Sequence, residues 1–499
     1  MILLQIPERH TAADVVALGL IGSELQLEEI STEVLPVAAA EACALYVSAE
    51  EPDAEAGALH TVTLPGAVPA TVLIVGLGDA SPEDLRVAAV ALGRRIERLP
   101  ESRSVAVAIH APSRRQSRAL AEGLVLGGYQ YSKASDAEDA LHQLNLVGTL
   151  DRAGLDAGDE AADAAGWARD LGNAPPNELT PARMGELAEQ QLTPAGCKVS
   201  VHDEAWLTAQ GFGGVLAVGG GSAAGPRLIE VTYRPRRKSG AARLPHVVLV
   251  GKGITFDTGG LNLKLGDGMR TMHTDMCGGA AVLAAVQYAA MRKLAISVTV
   301  LVPAAENAVS GTATRPSDVI THFGGRTTEV GNTDAEGRLI LADALGYAVK
   351  RLKPDVLIDV ATLTGAARVA LGMEIGAYFA NDDALAAQLE QASADSGEPI
   401  WRMPLEHHYV KQLESPVADA RNDPGTPGAI TAALFLQPFV GDVAWAHLDI
   451  AGPARAAADG PVLSHGATGF GARLLAHYLD TMAGSDTMAG LGTAAGSPG

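Results

Sequence analysis

The octapeptide NTDAEGRL at residues 332–339 places two carboxylates and a guanidinium at alternate positions, directly after a β-rich run at 327–330. Alternate residues of an extended strand point to the same side, so Asp334, Glu336 and Arg338 are predicted to face one pocket if the strand continues through them. Two neighbouring carboxylates repel each other unless a cation joins them. The spacing therefore indicates part of a metal site.

Two glycine-rich segments upstream carry further charged side chains, namely Lys252, Asp257, Lys264 and Asp275. Taken singly, each has an ordinary structural explanation, such as a surface ion pair, a helix N-cap or a solvated turn. All of them, however, fall at predicted strand ends or helix starts of the same domain. With Asp334 and Glu336 they supply four carboxylates, which suit Mg²⁺, Mn²⁺ or Zn²⁺ and are enough for two such ions.

The elements that must position these side chains follow an α/β pattern. At 499 residues the chain is long enough for two or more domains. We predict a smaller N-terminal α/β domain at 1–160, where short β runs alternate with helices. A larger C-terminal α/β domain is predicted at 161–485, with a mixed, mostly parallel sheet covered by helices, because its strands are long apolar runs.

Three local signals refine this organisation. A polar helix over 149–170 marks the boundary between the domains. The chain is rich in Gly, Ala, Ser and Thr over 481–499, which we expect to be flexible, with 486–499 outside the larger domain. Gly76 and Gly78 precede a helix that starts near Ser81, but the full G-x-G-x-x-G spacing is missing, so a tight strand-to-helix turn is predicted in place of a dinucleotide site.

Charge and composition narrow the class of protein. The net charge of −21 argues against a broad nucleic-acid footprint, which requires clustered Lys and Arg. Three widely spaced cysteines make a disulfide framework improbable. The sequence shows neither a leader pattern nor an apolar run of about 20 residues. We therefore expect a cytoplasmic protein that does not enter membranes.

The octapeptide matches, residue for residue, the signature of the leucine aminopeptidase family, also called cytosol aminopeptidases, which are two-metal exopeptidases. Other blocks resemble the family in the same order, over roughly 171–475. They are VGKGITFD at 250–257, TDM at 274–276, ATLTG at 361–365, HLDIAG at 447–452 and GATGFG at 466–471. Before residue 171 the similarity is looser.

The resemblance implies a ligand set. Lys252, Asp257, Asp275 and Glu336 would hold a tightly bound divalent ion, and Asp257, Asp334 and Glu336 a more exchangeable one. Mn²⁺ or Zn²⁺ is expected, with Mg²⁺ as an alternative in one site. The simpler explanation of Lys252 is a charged lysine paired to Asp257, since a lysine must be neutral to bind a metal.

The resemblance also implies catalytic roles. The two ions would activate water, and one would bind the free amino terminus of the peptide, which explains exopeptidase action. Lys264 would stabilise the oxyanion. Arg338 would hold a bicarbonate ion that shuttles a proton, because a guanidinium cannot act as a base.

Substrate contacts and assembly are implied more coarsely. An apolar pocket for a leucine-like side chain is expected near the family's substrate-cleft residues. Met272 could line this pocket, although packing in the core explains that residue equally well. The expected contacts are Met272, Asn332, Thr362, Leu363 and Gly365. A homohexamer that acts on peptides is implied by resemblance alone.

Three alternatives stay open from the sequence. One is a Cys-Gly dipeptidase that uses the same site. Another is a DNA-binding regulator, which the acidic composition disfavours. The third is a scaffold without activity, which the complete set of mutually repelling carboxylates disfavours.

Overall fold

The computed structural model describes residues 2–7, 12–28, 30–100, 103–133, 142–236 and 243–484. The chain divides into two compact units, one formed by Met1–Gly166 with Ala458–Ser464 and the other by Trp167–Ala457 with His465–Gly499. Ala458–Ser464 joins the first unit because Arg94 binds it: Nη1 donates to the Gly460 carbonyl (2.7 Å) and Nη2 to the Leu463 carbonyl (3.1 Å). Both units combine sheets with helices, so the predicted α/β class in two domains is confirmed.

The first unit is built on a seven-stranded, mostly parallel sheet with the order β1-β7-β6-β2-β5-β4, in which β3 pairs with β2. Its strands are β1 Ile2–Gln5, β2 Val15–Ile21, β3 Glu24–Leu25, β4 Leu59–Thr63, β5 Thr71–Gly76, β6 Val105–Ala108 and β7 His142–Val147. Its helices are α1 Val37–Glu50, α2 Pro82–Glu97 and α3 Arg114–Gly127, followed by α4 Arg152–Asn173, which contains the division point.

The turn before α2 has the local chemistry that the sequence predicts. Gly78 adopts φ of +54°, a left-handed conformation that favours glycine. The Ser81 hydroxyl accepts a hydrogen bond from the Asp84 amide (3.1 Å), and Pro82 occupies the first helical position. Gly76 ends β5 and Gly78 lies in the strand-to-helix turn, as predicted.

Helix α4 carries an acidic cluster with a consequence for stability. Burial, together with Asp163, Glu160 and Asp156, raises the pKa of Asp159 to about 6. A carboxyl group whose pKa is higher in the folded than in the unfolded state favours folding at low pH, and this contribution is lost as pH rises through the folded value. The ionised Asp159 therefore destabilises the protein at neutral pH.

We accordingly expect Asp159→Asn to increase the free energy of unfolding by about 1 kcal/mol at pH 7.5. A rise of the Asp159 pKa from its ordinary value to about 6 sets a ceiling of about 3 kcal/mol, which partial exposure reduces. The gain should vanish near pH 4, where the native carboxyl is protonated. Urea unfolding at both pH values measures it, and an equal gain at both would contradict the assignment.

The second unit is built on a nine-stranded sheet with the order β17-β16-β19-β15-β10-β12-β9-β8, in which β11 pairs with β12. Its sheet strands are β8 Lys198–His202, β9 Arg227–Tyr233, β10 His246–Gly251, β11 Gly253–Asp257, β12 Ser297–Asn307, β15 Val356–Ala361, β16 Gly376–Ala380, β17 Ile400–Arg402 and β19 Ala444–Asp449. Five of its pairings are parallel and three antiparallel, which makes the sheet mixed and mostly parallel as predicted.

Two small sheets complete the unit. They comprise β13 Val319–Thr321, β14 Thr327–Glu329 and β18 Ala420–Arg421 in one, and β20 Arg455–Ala456 and β21 Gly466–Ala467 in the other.

Helices cover the large sheet and close its core. They are α5 Pro181–Leu192, α6 Glu204–Gln210, α7 Gly213–Gly219, α8 Cys277–Met291, α9 Gly337–Tyr347, α10 Gly365–Leu371, α11 Asp383–Ser396, α12 Gly428–Leu436 and α13 Ala472–Gly484, with 3₁₀ turns at Gly266–Thr274, His407–Leu413 and Gln437–Phe439 and a π turn at Ala348–Leu352. Strand β15 is buried along its whole length and α8 over all but its last residue, as expected for a sheet covered on both faces.

The structure corrects two expectations. The strand that precedes the octapeptide ends at Glu329, residues 332–336 form a turn, and α9 begins at Gly337, so the argument from alternate strand positions is wrong. The Asn332 side chain causes the turn by accepting a hydrogen bond from the Asp334 amide (2.8 Å).

The second correction concerns the C-terminus. Helix α13 continues through 481–484, which we expected to be flexible, and it buries Met482. The flexible segment predicted at 486–499 lies outside the described residues. Among the residues that are described, no helix has both the length and the apolar character needed to cross a bilayer.

Candidate metal centre

The predicted site lies at one edge of the nine-stranded sheet. Strands β12, β10, β15 and β19 run parallel in that spatial order, so their carboxyl ends meet at the same edge. Three residues of the predicted site lie at these strand ends: Lys252 comes after β10, Asp257 ends β11 and Thr362 comes after β15. Asp334 and Glu336 reach the same edge from the turn before α9.

Lys252 is buried among acidic groups. Its Nζ lies 2.8 Å from the Asp275 carboxylate and 2.9 Å from Glu336 Oε1, and it donates to the Thr362 carbonyl at 2.9 Å. Thr362 Oγ1 in turn donates to Asp275 Oδ1 (2.7 Å). Three segments that are distant in sequence therefore converge on one amine.

Lys264 makes a second bridge. Its Nζ lies 2.6 Å from Asp257 Oδ2 and 2.6 Å from Asp334 Oδ1. The other oxygen of Asp257 accepts hydrogen bonds from the Gly259 amide and from Asn307 Nδ2, both at 2.8 Å. Asp257 is thus held rigidly, whereas a third of the Asp334 side chain is exposed (33%).

The carboxylates of Asp257, Asp334 and Glu336 each place one oxygen within 4.8 Å of the others. This group is the only set of three or more His, Cys, Asp or Glu side chains with such spacing among the described residues. Oxygen donors at this spacing fit a divalent ion. Asp275 lies outside the triplet and joins the site through Lys252.

The pKa values reflect crowding of like charges away from water. Burial, helped by Asp257, raises the pKa of Glu336 to about 8, although Lys252 opposes the shift. Burial raises the pKa of Asp275 to about 6, again against Lys252. Burial alone would lower the pKa of both lysines, but the neighbouring carboxylates raise them above their ordinary values. Additional cations would relieve the repulsion among the acids.

A close backbone approach is required where α9 begins. A Cβ atom at Gly337 would lie 2.7 Å from Lys252 Cε and 2.9 Å from Leu363 Cδ1. Glycine therefore allows the start of α9 to pack against the lysine stem, and this packing brings Glu336 to the site.

Arg338 contacts a different segment, although it belongs to the same octapeptide. It is 7% exposed, and its Nη1 donates to the Asn422 carbonyl at 2.7 Å. Burial lowers the pKa of Arg338, and Asp423, Glu336 and Asp449 oppose the change. Its Nε has no hydrogen-bond partner among the described residues, so it offers a donor to an anion.

The predicted substrate contacts are partly exposed around the same edge. Thr362 and Leu363 are half-buried in the loop before α10, and Gly365 is exposed at the start of that helix. Met272 is half-buried in the 3₁₀ turn before Asp275, whose amide donates to the Met272 carbonyl (3.2 Å). Asn332 is tied into the turn that carries Asp334.

Comparison with known proteins identifies the family. The model of the cytosol aminopeptidase family catalytic domain matches residues 166–476, and that of the family's N-terminal domain matches 17–135. The chain belongs to the cytosol aminopeptidase family. All of the charged residues that converge on the sheet edge lie within the catalytic-domain match.

Individual relatives agree with this membership. The probable cytosol aminopeptidase of Leifsonia xyli is 41% identical over 486 residues, which cover 93% of this chain and 94% of the relative. The corresponding protein of Roseiflexus castenholzii is 42% identical over 83% of this chain and 88% of its own length.

Solved structures of two similar proteins also align over almost the whole chain. The bottromycin maturation enzyme BotP in complex with Mn has a TM-score of 0.83 at 37% identity and covers 95% of this chain and 100% of its own. The cytosol aminopeptidase from Coxiella burnetii has a TM-score of 0.80 at 30% identity and covers 97% of this chain and 99% of its own. Membership supports aminopeptidase activity and does not favour the dipeptidase or DNA-binding alternatives.

Sequence reasoning missed several buried polar residues that support the family's site. Asn307 links Asp257 to the Thr333 carbonyl (3.0 Å), and Asp449 holds the loop after β15. The HLDIAG block contains Asp449, and the resemblance of this block to the family was the only available signal. Neither residue has a local motif that reveals its partner.

Asp449 should contribute strongly to stability. It is 1% exposed and accepts hydrogen bonds from the amides of Leu363 (3.1 Å), Thr364 (3.3 Å) and Ala451 (3.2 Å) and from the Thr364 hydroxyl (2.6 Å). Asp449→Ala leaves these donors unpaired, and we expect a loss of about 3 to 5 kcal/mol in the free energy of unfolding.

Urea unfolding of the full chain measures this loss. The matched control is Asp383→Ala, since the Asp383 side chain is 91% exposed and pairs only at the surface with Arg402. The control should change stability by less than about 1 kcal/mol. A similar small effect in Asp449→Ala would show that the loop does not depend on this carboxylate.

Proposed function

We propose that this chain is a metal-dependent leucyl aminopeptidase, which releases leucine and similar apolar residues from the N-terminus of peptides with the help of two divalent ions. The observation that carries the proposal is the convergence of Asp257, Asp334 and Glu336 within 4.8 Å at the carboxyl edge of the sheet. Lys252 and Lys264 flank this triplet, as the family resemblance leads us to expect.

The proposed ligands divide into two overlapping sets. Lys252, Asp257, Asp275 and Glu336 would hold one ion, and Asp257, Asp334 and Glu336 the other. The ions proposed are Mn²⁺ or Zn²⁺, with Mg²⁺ as an alternative in one site, and the Mn complex of BotP supports manganese. When bound, such ions supply Lewis acidity and allow water to act as a nucleophile at neutral pH.

The protein's own cations have separate tasks in this proposal. Lys264 keeps its proton at neutral pH because Asp257 and Asp334 raise its pKa, so it can stabilise negative charge on the peptide oxygen. Arg338 would hold a bicarbonate ion, for which its unpaired Nε is a suitable donor. As a permanent cation it orients the anion and does not take up protons itself.

Apolar selectivity is proposed to arise around the loop after β15. Leu363 and Met272 are both half-buried. Leu363 follows Thr362, whose hydroxyl donates to Asp275, and the Met272 carbonyl accepts a hydrogen bond from the Asp275 amide. A Cβ atom at Gly365 would meet nothing within 4 Å, so open space lies beside the loop. Asn332 would contribute from the turn. Such surroundings favour an aliphatic side chain at the peptide's first position.

A homohexamer and a cytoplasmic location are proposed from the family resemblance. Light scattering tests the assembly, and a monomer at working concentration would contradict it.

The decisive experiment for the function is hydrolysis of leucine p-nitroanilide by the full chain. Treatment with a chelator should abolish hydrolysis, and Mn²⁺ or Zn²⁺ should restore it. Glutamate p-nitroanilide serves as the matched substrate and should be cleaved more slowly. Activity that survives exhaustive chelation would contradict the two-metal proposal, and equal cleavage of both substrates would contradict the apolar preference.

A further inference from the structure

Asn422 is a fully buried residue whose side-chain amide binds the turn that carries two of the proposed ligands. It follows β18 directly and is 0% exposed. Its Oδ1 accepts hydrogen bonds from the amides of Gly331 (2.7 Å) and Asn332 (3.2 Å), and its Nδ2 donates to the carbonyls of Asn332 (2.8 Å) and Ala335 (3.2 Å). A carboxamide has two N–H donors and an oxygen with two lone pairs, so its entire hydrogen-bonding capacity is used on this one turn.

The backbone of the same residue holds the two ends of the segment. The Asn422 amide donates to the Glu329 carbonyl (3.1 Å), where β14 ends. Its carbonyl accepts from Arg338 Nη1 (2.7 Å), where α9 begins. One residue therefore contacts the segment before, within and after the turn.

The turn depends on such contacts because regular secondary structure does not hold it. Asp334 and Glu336 stand on either side of Ala335, whose carbonyl Asn422 binds. On the opposite side, Thr333 Oγ1 donates to the Gly259 carbonyl (2.7 Å). Asn307 Nδ2 also donates to the Thr333 carbonyl (3.0 Å), and Asn262 Oδ1 accepts from the Thr333 amide (2.9 Å). These contacts all hold Thr333, whereas Asn422 binds the carbonyl between the two proposed ligands.

We propose that Asn422 is a positioning residue of the metal centre: its side-chain amide sets the placement of Asp334 and Glu336, and its backbone carbonyl sets that of the Arg338 guanidinium. The inference rests on the proposed function for its catalytic consequences. It goes beyond that function by assigning a task to a residue that is neither a proposed metal ligand nor a proposed substrate contact.

Asparagine suits this task for a chemical reason. Aspartate has the same shape, but its ionised carboxylate only accepts hydrogen bonds, so it would face the carbonyls of Asn332 and Ala335 without a donor. Alanine would remove all four side-chain bonds and keep the backbone bonds to Glu329 and Arg338. The two substitutions therefore disturb the turn differently while the backbone anchor persists.

The test compares full-length wild type with N422A and N422D by calorimetric titration with Mn²⁺. Partners that orient ligands typically change metal affinity by about 10- to 100-fold, so we expect Mn²⁺ binding to weaken by at least about 10-fold in both variants. We also expect the decrease in kcat to be larger than the change in KM. A residue with only a structural role would lower the unfolding midpoint and leave the Mn²⁺ affinity of the folded protein unchanged.

The matched control is D419A. Asp419 joins the same two segments, because its Oδ2 accepts hydrogen bonds from the Thr327 amide (2.8 Å) and hydroxyl (2.9 Å), but it has no bond to 331–338 in the structure. D419A should keep Mn²⁺ affinity and kcat within about twofold of wild type. Wild-type affinity and kcat in folded N422D overturn the inference, and N422D retains the side-chain volume in case N422A does not fold.

Hydrogen exchange of the metal-free proteins separates this inference from the proposed function. We expect the amides of 331–338 to exchange at least about 10-fold faster in N422D than in wild type and D419A. Unchanged exchange overturns the positioning role, even if wild type is an active aminopeptidase. Conversely, wild type that neither binds Mn²⁺ nor cleaves peptides refutes the proposed function, while the exchange comparison still decides whether Asn422 holds the turn.

Discussion

Glu336→Gln is expected to lower kcat/KM for leucine p-nitroanilide by about 10³-fold, which corresponds to roughly 4 kcal/mol. Glu336 is 2% exposed, contacts Lys252 Nζ at 2.9 Å and belongs to the triplet of converging carboxylates. Glutamine preserves the shape but removes the negative charge that both proposed ions would share. Mn²⁺ affinity measured by calorimetry should therefore fall together with activity.

The control for this substitution is Glu329→Gln. Glu329 lies just before the same turn and is half-buried, but its Oε2 accepts a hydrogen bond from the Ser415 hydroxyl (2.6 Å) and does not contact the site. The activity of Glu329→Gln should stay within about twofold of wild type. If Glu336→Gln kept activity within tenfold of wild type, Glu336 could not be a shared ligand.

Lys264→Met is expected to lower kcat by about 10²- to 10³-fold with little change in KM. A fixed cation directed at the developing negative charge stabilises the transition state more than the bound substrate, and loss of one such donor costs about 3 to 4 kcal/mol. The ammonium group lies 2.6 Å from both Asp257 and Asp334. Its removal leaves these carboxylates without a competing cation, so Mn²⁺ affinity should be unchanged or stronger.

Glu336→Gln is expected to weaken Mn²⁺ binding and Lys264→Met is not, so Mn²⁺ affinity distinguishes the two substitutions. Steady-state kinetics and Mn²⁺ titration on the same preparations measure kcat and this affinity. Lys350→Met is the control, because Lys350 is an exposed lysine whose Nζ donates, among the described residues, only to the Gly324 carbonyl (3.1 Å). This substitution should leave both quantities near wild type. A parallel loss of kcat and Mn²⁺ affinity in Lys264→Met would assign Lys264 a structural role.

Much of the fold could be predicted because its signals are local. The continuous apolar run at 247–250 predicts a buried strand, and β10 occupies His246–Gly251. The Ser-Pro-Glu-Asp sequence at 81–84 predicts a helix start, and α2 begins at Pro82. Such patterns depend on a few neighbouring residues, so tertiary contacts do not need to be known.

The octapeptide illustrates the limit of that reasoning. Its β-rich approach suggested a strand that would align three charged residues, whereas an Asn332 turn and the N-terminus of α9 place Asp334 and Glu336 at the site and send Arg338 to Asn422. The Asn332 side chain makes the turn locally, and hydrogen bonds from distant residues such as Asn422 then fix where its side chains lie. The residue types were informative, but the geometry inferred from their spacing was wrong.

By itself, the sequence determined the α/β class, the family and the residue types that gather at the site, because motifs and apolar periodicity are written in neighbouring residues. Only the tertiary structure decided which groups meet. The parallel order of β12, β10, β15 and β19 brings Asn307, Lys252 and Asp449 to one edge from positions up to about 200 residues apart. The small β14–β18 pairing brings Asn422 against the turn at 332–336. Such contacts depend on strand order and chain crossovers, which no local pattern encodes.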